Sequence, residues 1–214
     1  MHYQVIPVTP YQQNCSVVWN EDTRIGAVID PGGEIEKLLA FCVSKNIQLE
    51  KILLTHGHMD HVGGTAQLAA KLHLPVIGPH LADKYWIDGL PHQAAMMGFT
   101  PVESFLPDTW LEHGDTIDVG DIKFDVLHCP GHTPGHVVLY NAAAKVAFVG
   151  DVLFNGSIGR TDFPGGNHQQ LIDSIRKKLW PLGDDITFIP GHGPLSTFGE
   201  EKRSNPFVAD PNYG

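Results

Sequence analysis

The sequence contains few cysteines. Its 214 residues include only three, Cys15, Cys42 and Cys129. An odd number of widely spaced cysteines does not form a disulfide framework and is typical of a reducing compartment. The chain also lacks a basic, apolar leader at its start and any run of roughly 18 apolar residues, the length a membrane helix needs. We therefore expect a cytoplasmic protein without membrane association.

Positive charge is also scarce. Fourteen Lys and Arg face 24 Asp and Glu, which gives a formal net charge of −10 with neutral histidines. This balance opposes broad attraction to nucleic acid, and no protein partner is indicated. A hydrophobic content of 42% and a charged content of 18% are those of a globular protein. A chain of this length can bury one core, so we predict a single domain over residues 1–214.

The hydrophobic pattern predicts an α/β fold. Short β-branched and aromatic runs between Pro, Gly, Asn and Asp predict strands in both halves of the chain. The first predicted helix has apolar residues at i, i+3, i+4 and i+7, which are Ile35, Leu38, Leu39 and Cys42. A second helix is predicted from about His168 to Trp180. Two similar β-rich halves, each followed by helices, predict two sheets packed face to face with helices outside.

Residues 79–114 show no clear periodicity. Met96, Met97 and Phe99 are the apolar residues there whose role bears on function. Because methionine commonly fills gaps in protein cores, we predict that these three side chains pack in the core. A substrate-facing wall is the alternative.

A dense cluster of metal-capable side chains follows the predicted strand KILLT. Residues 55–64 read THGHMDHVGG and place His56, His58, Asp60 and His61 within six positions. In extended chain alternate side chains share a face, so His56 and His58 point to the same side. Asp60 and His61 follow at the turn into a helix. The pattern resembles two pairs of ligands, and it lacks the i, i+4 histidines and adjacent glutamate of a helical metalloprotease signature.

Three more metal-capable residues follow predicted strands later in the chain. They are His132 in HCPGHTPGH, Asp151 after FVG and His192 in IPGHGP. Strand ends can converge on one cavity and hold such side chains rigidly. One tetrahedral ion takes three or four protein ligands, so the joint set suffices for a pair of ions. A lone histidine in such a place is more often structural, and the prediction depends on the joint order.

This order resembles the metallo-β-lactamase superfamily, whose signature is a strand-end aspartate, H-x-H-x-D-H, and then histidine, aspartate and histidine. The resemblance spans nearly the whole chain and implies a four-layer αββα sandwich of two mixed sheets with helices on the outer faces. Within the superfamily the sequence is most similar to the glyoxalase II group, the hydroxyacylglutathione hydrolases, in their short bacterial GloC type. Only 22 residues follow His192, so the helical carboxy-terminal domain of longer glyoxalase II enzymes is not expected.

The resemblance implies a set of metal ligands in two groups. The implied ligands are His56, His58 and His132 for one ion, Asp60, His61 and His192 for the other, and Asp151 as a bridge between the two. Asp30, in VIDPGG, would accept a hydrogen bond that fixes a ligand imidazole's tautomer. Its alternative role is that of a turn or helix-capping aspartate. Imidazole and carboxylate ligands accept several divalent ions, so we expect zinc first, with iron or manganese as alternatives.

The same resemblance implies hydrolysis of S-D-lactoylglutathione to glutathione and D-lactate in methylglyoxal detoxification. Asp60 and Asp151 would hold the ions and a bridging hydroxide, the nucleophile, because coordination lowers the pKa of water to about 7. A thiol with a pKa of about 8.5 can leave without a strong general acid. Arg160 is the candidate for binding a glutathione carboxylate. An ion pair with Asp162 is the alternative.

Other activities of the superfamily stay open at this point. The run GRTDF at residues 159–163 also resembles the persulfide dioxygenases, which use a single iron and keep much of the H-x-H-x-D-H pattern. Hydrolysis of β-lactams is a weaker alternative, because di-zinc lactamases generally have cysteine where Asp151 stands. Nucleic-acid processing is disfavoured by the acidic charge. Another metallo-hydrolase activity, or a metal-binding module without activity, completes the alternatives.

Overall fold

Two mixed β-sheets pack face to face in this computed structural model, which describes residues 1–210. The predicted domain also includes residues 211–214, which lie outside the described residues. Five strands form the first sheet, side by side in chain order: β1 (His2–Val8), β2 (Gln13–Trp19), β3 (Ile25–Ile29), β4 (Gln48–Leu53) and β5 (Val76–Ile77). The first three strands run antiparallel, while β3, β4 and β5 run parallel.

The second sheet is built from the later half of the chain. It has six strands: β6 (Thr116–Val119), β7 (Ile122–His128), β8 (Val137–Asn141), β9 (Val146–Gly150), β12 (Thr187–Pro190) and β13 (Ser196–Thr197). Their order across the sheet is β13-β12-β9-β8-β7-β6, and only β9 and β12 pair in parallel. A separate two-stranded ribbon, β10 (Leu153–Phe154) and β11 (Ser157–Ile158), follows β9 directly.

Helices cover the outer faces of both sheets. The first half of the chain contributes α1 (Ile35–Ser44), α2 (Met59–Val62), α3 (Thr65–Leu72), α4 (Lys84–Asp88) and α5 (Leu90–Met97). The second half contributes α6 (His168–Ser174) and α7 (Phe198–Ser204). The four-layer αββα sandwich predicted from the family resemblance is therefore confirmed. Within residues 1–210 no helix has both the length and the apolar character needed to cross a membrane.

Side-chain alternation along the strands explains the layering. In β2, Val17 packs under the helices of the first half and its neighbour Val18 packs between the sheets. In β9, Val149 packs under α6 and α7, whereas Phe148 lies between the sheets. Because successive residues of a strand face opposite sides, these buried runs fill three hydrophobic layers at once. The packed layers hold the strand ends, and hence the site, in fixed positions.

The helix predicted from His168 to Trp180 has a change of winding in its second half. The α-helix ends at Ser174, a π-helical turn covers Ile175–Leu179, and a short 3₁₀ turn follows from Trp180. Apolar spacing does not resolve the two windings, since both keep one face on the core.

The core position predicted for Met96 is wrong. Its side chain is 75% exposed, because α5 turns Leu90 and Ala94 towards the core and Met96 away from it. Met97 and Phe99 are only partly buried against the first-half core. Both methionines line the cavity described below, so the alternative of a substrate-facing wall applies to them.

Candidate metal centre

The metal-capable residues lie where the strands of both sheets end. The parallel strands β3 and β4 point their carboxyl ends to the same edge, and so do β9 and β12 in the other sheet. Two backbone hydrogen bonds tie these edges together. Val137 donates its N–H to the carbonyl of Thr55 across the sheets (2.8 Å), and Asn14 in β2 donates its N–H to the carbonyl of Gly191 after β12 (2.7 Å). The loops after these strands therefore meet in one place.

The first predicted ligand group is assembled as a compact trio. One ring nitrogen from each of His56, His58 and His132 lies within 4.8 Å of the others, and all three side chains are buried. Nδ1 of His58 is 2.9 Å from Nε2 of His132. His132 donates its Nδ1–H to the carbonyl of Arg160 (2.7 Å), which leaves a lone pair on Nε2. The trio has the spacing of ligands that share one ion.

The second predicted group lies beside the first. Asp60, His61 and His192 also bring one ligand atom each within 4.8 Å of the others. Nε2 of His192 is 3.1 Å from Oδ2 of Asp60. Its Nδ1–H is directed at the carbonyl of Tyr11 (3.1 Å), so this ring too turns its second nitrogen inward. The helix α2 positions Asp60 and His61, as the sequence predicted.

Asp151 lies between the two groups. Its Oδ1 is 3.2 Å from Nε2 of His61, although the two atoms are not aligned for a hydrogen bond. Its Oδ2 is 3.5 Å from Nε2 of His132 and 3.8 Å from Nε2 of His192. Gly191 packs against this carboxylate so closely that a Cβ there would overlap Oδ1. One carboxylate thus faces both groups, which is the geometry a bridging ligand requires.

Asp30 orients the ring of His61, on the side away from the candidate bridge Asp151. His61 donates its Nδ1–H to Oδ2 of Asp30 (2.8 Å), and Thr55 donates its N–H to Oδ1 (2.7 Å) and its hydroxyl to Oδ2 (2.5 Å). Both carboxylate oxygens are therefore occupied by protein donors. A carboxylate so bound fixes the tautomer of a ligand imidazole, with Nε2 left to bind an ion. The geometry agrees with the orienting role that the sequence predicted for Asp30.

The polar atoms at the centre fit a divalent cation. Within the described part of the chain, Nε2 of His56, Nε2 of His61 and Oδ1 of Asp151 are buried without a hydrogen-bond partner. Burial lowers the pKa of His56 and brings that of His58 to about 3, so these rings are neutral and can donate lone pairs. Burial acts to raise the pKa of Asp151, but His61, His132 and His192 together outweigh it and the pKa is lowered. The neutral imidazoles of the first group, beside ionised carboxylates, suit Zn, Fe or Mn.

Asp83 is a residue that the sequence did not indicate. It is fully buried and accepts hydrogen bonds from the backbone of Gly57 (2.8 Å) and Gly135 (2.5 Å) and from the hydroxyl of Thr133 (2.8 Å). Burial raises its pKa to about 6. These three donors belong to the loops that carry the first ligand group, so Asp83 joins them. It lies in the patternless segment 79–114, where no motif marks it.

His136 also has a larger role than its sequence position suggested. The sequence places it merely near the site, but its ring is fully buried and stacks on His56 with ring centroids 4.5 Å apart. Its Nε2 accepts a hydrogen bond from the backbone N–H of Asp151 (3.0 Å). Since it contacts one member of the first ligand group and the candidate bridge, it positions both. The position of His136 four residues after His132, in the run HTPGH, could have indicated this role.

We expect Asp83→Ala to destabilise the fold by about 3 kcal/mol or more, because three buried donors lose their acceptor at roughly 1–3 kcal/mol each. Urea unfolding of the metal-replete protein measures this loss. Asp88→Ala is the matched control, since that carboxylate is exposed and pairs with Lys84 at the surface. Equal stability of the two variants would contradict the joining role of Asp83.

A cavity of about 750 Å³ opens over both ligand groups. Arg160 lines it, but its guanidinium already makes two hydrogen bonds of 2.7 Å to Asp162, and its side chain is 64% exposed. The guanidinium also lies over the ring of Phe163, 4.3 Å from the centroid. The predicted ion-pair alternative is therefore present in the structure, while the substrate role stays a prediction.

Residues 8–192 match the family model described as the Metallo-beta-lactamase superfamily. The chain belongs to this superfamily. Among curated relatives it is 48% identical to the hydroxyacylglutathione hydrolase GloC of Haemophilus influenzae, over 97% of this chain and 98% of the relative. The predicted membership is thereby confirmed, including the likeness to the GloC type.

Solved structures of the superfamily share the fold closely. BLEG-1, described as a B3 metallo-β-lactamase, is 36% identical with a TM-score of 0.90, over 98% of this chain and all of the other. TTHA1623 in a di-iron-bound form is 40% identical with a TM-score of 0.87, over 96% of this chain and all of the other. ETHE1 from Myxococcus xanthus is 27% identical with a TM-score of 0.81, over 98% of this chain and 85% of that one.

Proposed function

We propose that the protein is a two-metal thioester hydrolase that converts S-D-lactoylglutathione to glutathione and D-lactate. The observation that carries this proposal is the Asp151 carboxylate, which faces both groups of inward-turned ligand atoms. The chain is a hydrolase, as its superfamily and its nearly full-length match to a curated hydrolase indicate. The thioester and its glutathione part are inferred from the GloC relative.

The residues of the site have two roles, holding the ions and orienting the ligands. The two trios and Asp151 would hold the ions, which supply a polarised carbonyl and an activated water when bound. Asp30 and His136 keep His61 and Asp151 oriented, so little reorganisation is needed at the moment of reaction. Among the described residues that line the cavity, the carboxylates are Asp60 and Asp151, both in the ligand set. A thiolate can depart without an acid, so a thioester suits this site.

The metal is proposed to be zinc, with iron or manganese as alternatives. The ligand set of imidazoles and carboxylates, without thiolate, accepts all three. Cys129 is buried in the core under α6, and burial raises the pKa of its thiol to about 12, so it does not join the set. A relative with 40% identity is described in a di-iron-bound form, which keeps iron as the main competitor to zinc.

The deciding experiment is an anaerobic assay with S-D-lactoylglutathione. Thioester absorbance and free thiol are followed with metal-replete protein and with a chelated sample as control. Metal-dependent release of one thiol per thioester supports the proposal. No cleavage by protein with a measured two-metal content would overturn it.

Persulfide oxidation is the second candidate. The run GRTDF and the likeness to ETHE1 favour it, and the ligand residues do not separate the two activities. Oxygen consumption and sulfite formation with glutathione persulfide, in protein containing one iron per chain, would support this alternative. A chromogenic β-lactam belongs in the same assay panel because of the likeness to BLEG-1.

Arg160→Ala is expected to raise KM for S-D-lactoylglutathione about two- to fivefold and to leave kcat nearly unchanged. An exposed ion pair with a substrate carboxylate contributes roughly 0.2–1 kcal/mol and acts on binding alone. Steady-state kinetics measure the effect. Asp162→Ala is the matched variant: it releases Arg160 from its present partner and is expected to lower KM. If KM is the same in both variants and wild type, Arg160 serves only its pair with Asp162.

A further inference from the structure

The cavity has two ends that are attached to opposite ligand groups. His132, in the first group, donates to the carbonyl of Arg160, and His192, in the second group, is directed at the carbonyl of Tyr11. Each hydrogen bond fixes one loop of the cavity wall relative to one predicted ion. The cavity therefore has one end at Arg160, beside the first ligand group, and one end at Tyr11, beside the second.

The two ends differ in chemistry. The first end combines the only permanent cation among the described residues that line the cavity, Arg160, with the rings of Phe163 and Trp86. The second end is apolar: Tyr11 stacks on Phe99 with centroids 5.5 Å apart, Phe154 lies edge-on to His192 at 6.3 Å, and Met97 also lines the cavity. A substrate with one charged and one apolar part would match this division.

Exposed apolar side chains continue the second end towards solvent. Tyr11 is 50% exposed and Met96 is 75% exposed, and both line the same cavity. Single exposed apolar residues are ordinary, but several converging on one concave site indicate a ligand. Two polar side chains of α5 also line the cavity, His92 and Gln93. The amide of Gln93 is already occupied, since it accepts from the backbone N–H of Met59 (3.0 Å) and donates to the carbonyl of Trp86 (2.7 Å).

We propose that the end formed by Tyr11, Met97 and Phe154 binds an apolar acyl chain, so that the enzyme prefers thioesters of longer, uncharged acyl groups over lactoyl. This inference rests on the proposed thioester hydrolysis. In the reaction, water oxygen forms a bond to the acyl carbon and the carbon–sulfur bond breaks. The sulfur leaves with the electron pair and takes up a proton, which yields one carboxylic acid and one thiol.

The test uses glutathione thioesters that differ only in the acyl group: acetyl, butyryl, hexanoyl and D-lactoyl. Burying one methylene contributes about 0.8 kcal/mol, so kcat/KM is expected to rise roughly three- to fourfold for each methylene that the wall covers. A flat series, or a preference for D-lactoyl over hexanoyl, would overturn the inference. Cleavage of none of the four esters would instead contradict the proposed hydrolysis itself.

Variants locate the acyl group. Met97→Gln and Tyr11→Ser are expected to lower the ratio of kcat/KM for hexanoyl to that for acetyl by about fivefold or more. Leu106→Gln is the control, because Leu106 is 65% exposed and lies outside the cavity wall; it should keep the wild-type ratio. Far-ultraviolet circular dichroism and melting temperature check that each variant folds. A wild-type ratio in both wall variants would overturn the placement.

Discussion

Asp151→Asn should lower kcat/KM for S-D-lactoylglutathione by on the order of 10³-fold, the largest loss we expect from a single substitution. The amide keeps the shape of the carboxylate but offers one neutral oxygen where two ionised oxygens face the two ligand groups. Electrostatic stabilisation by two bound ions is worth several kcal/mol, and about 1.4 kcal/mol corresponds to tenfold in rate. Steady-state kinetics with metal content measured on the same sample provide the test.

Asp121→Ala is the matched control for this experiment, because Asp121 is an exposed carboxylate in the turn between β6 and β7. It should retain wild-type kcat/KM. We also expect Asp151→Asn to bind less than two equivalents of metal. A variant that keeps both metal equivalents and more than a tenth of the activity would contradict the bridging role.

Removal of metal should lower the melting temperature by roughly 10 °C and abolish thioester cleavage. An ion present at a thousand times its dissociation constant adds about 4 kcal/mol to the free energy of unfolding. In a chain of this size each kcal/mol corresponds to about 2–4 °C. The physical source is the set of buried polar atoms without partners on His56, His61 and Asp151, which a cation satisfies.

Differential scanning calorimetry before and after chelation, and again after metal is restored, measures this effect. Asp151→Asn is a useful comparison, since it should show a smaller shift on chelation than wild type. An unchanged melting temperature in demonstrably metal-free protein would mean that the ligand atoms find other partners.

The clustering of the candidate ligands at residues 56–61 was predictable from the sequence because its geometry is local. His56 and His58 alternate in extended chain, and Asp60 and His61 follow in the first turn of a helix, so spacing alone places them. His132 follows β7, in which apolar and charged residues alternate, and His192 follows the largely buried strand β12. The family resemblance then supplied the division into two groups, and the structure places the members of each group close together; His56 and His61 also lie together with Asp30.

Asp83 and Met96 were not predictable in this way, because their roles depend on tertiary structure. Asp83 acts through hydrogen bonds to Gly57 and Gly135, which lie 26 and 52 residues away in the chain. Met96 is apolar yet exposed: it lines a cavity whose opposite wall, including Phe154, comes from a distant part of the sequence. Local pattern assigns an apolar residue to the core when the surface that it faces is a binding cavity.

Gly191 limits the substitutions that this protein tolerates. It bears no functional group, yet any side chain there would take the space of the Asp151 carboxylate and of the His61 ring. In a scan of every substitution at every position, Gly191 should therefore appear as intolerant as the histidines themselves, while exposed Met96 should accept many replacements. A map of such intolerance would therefore include Gly191, which leaves space for the ligands, together with the ligands that occupy that space.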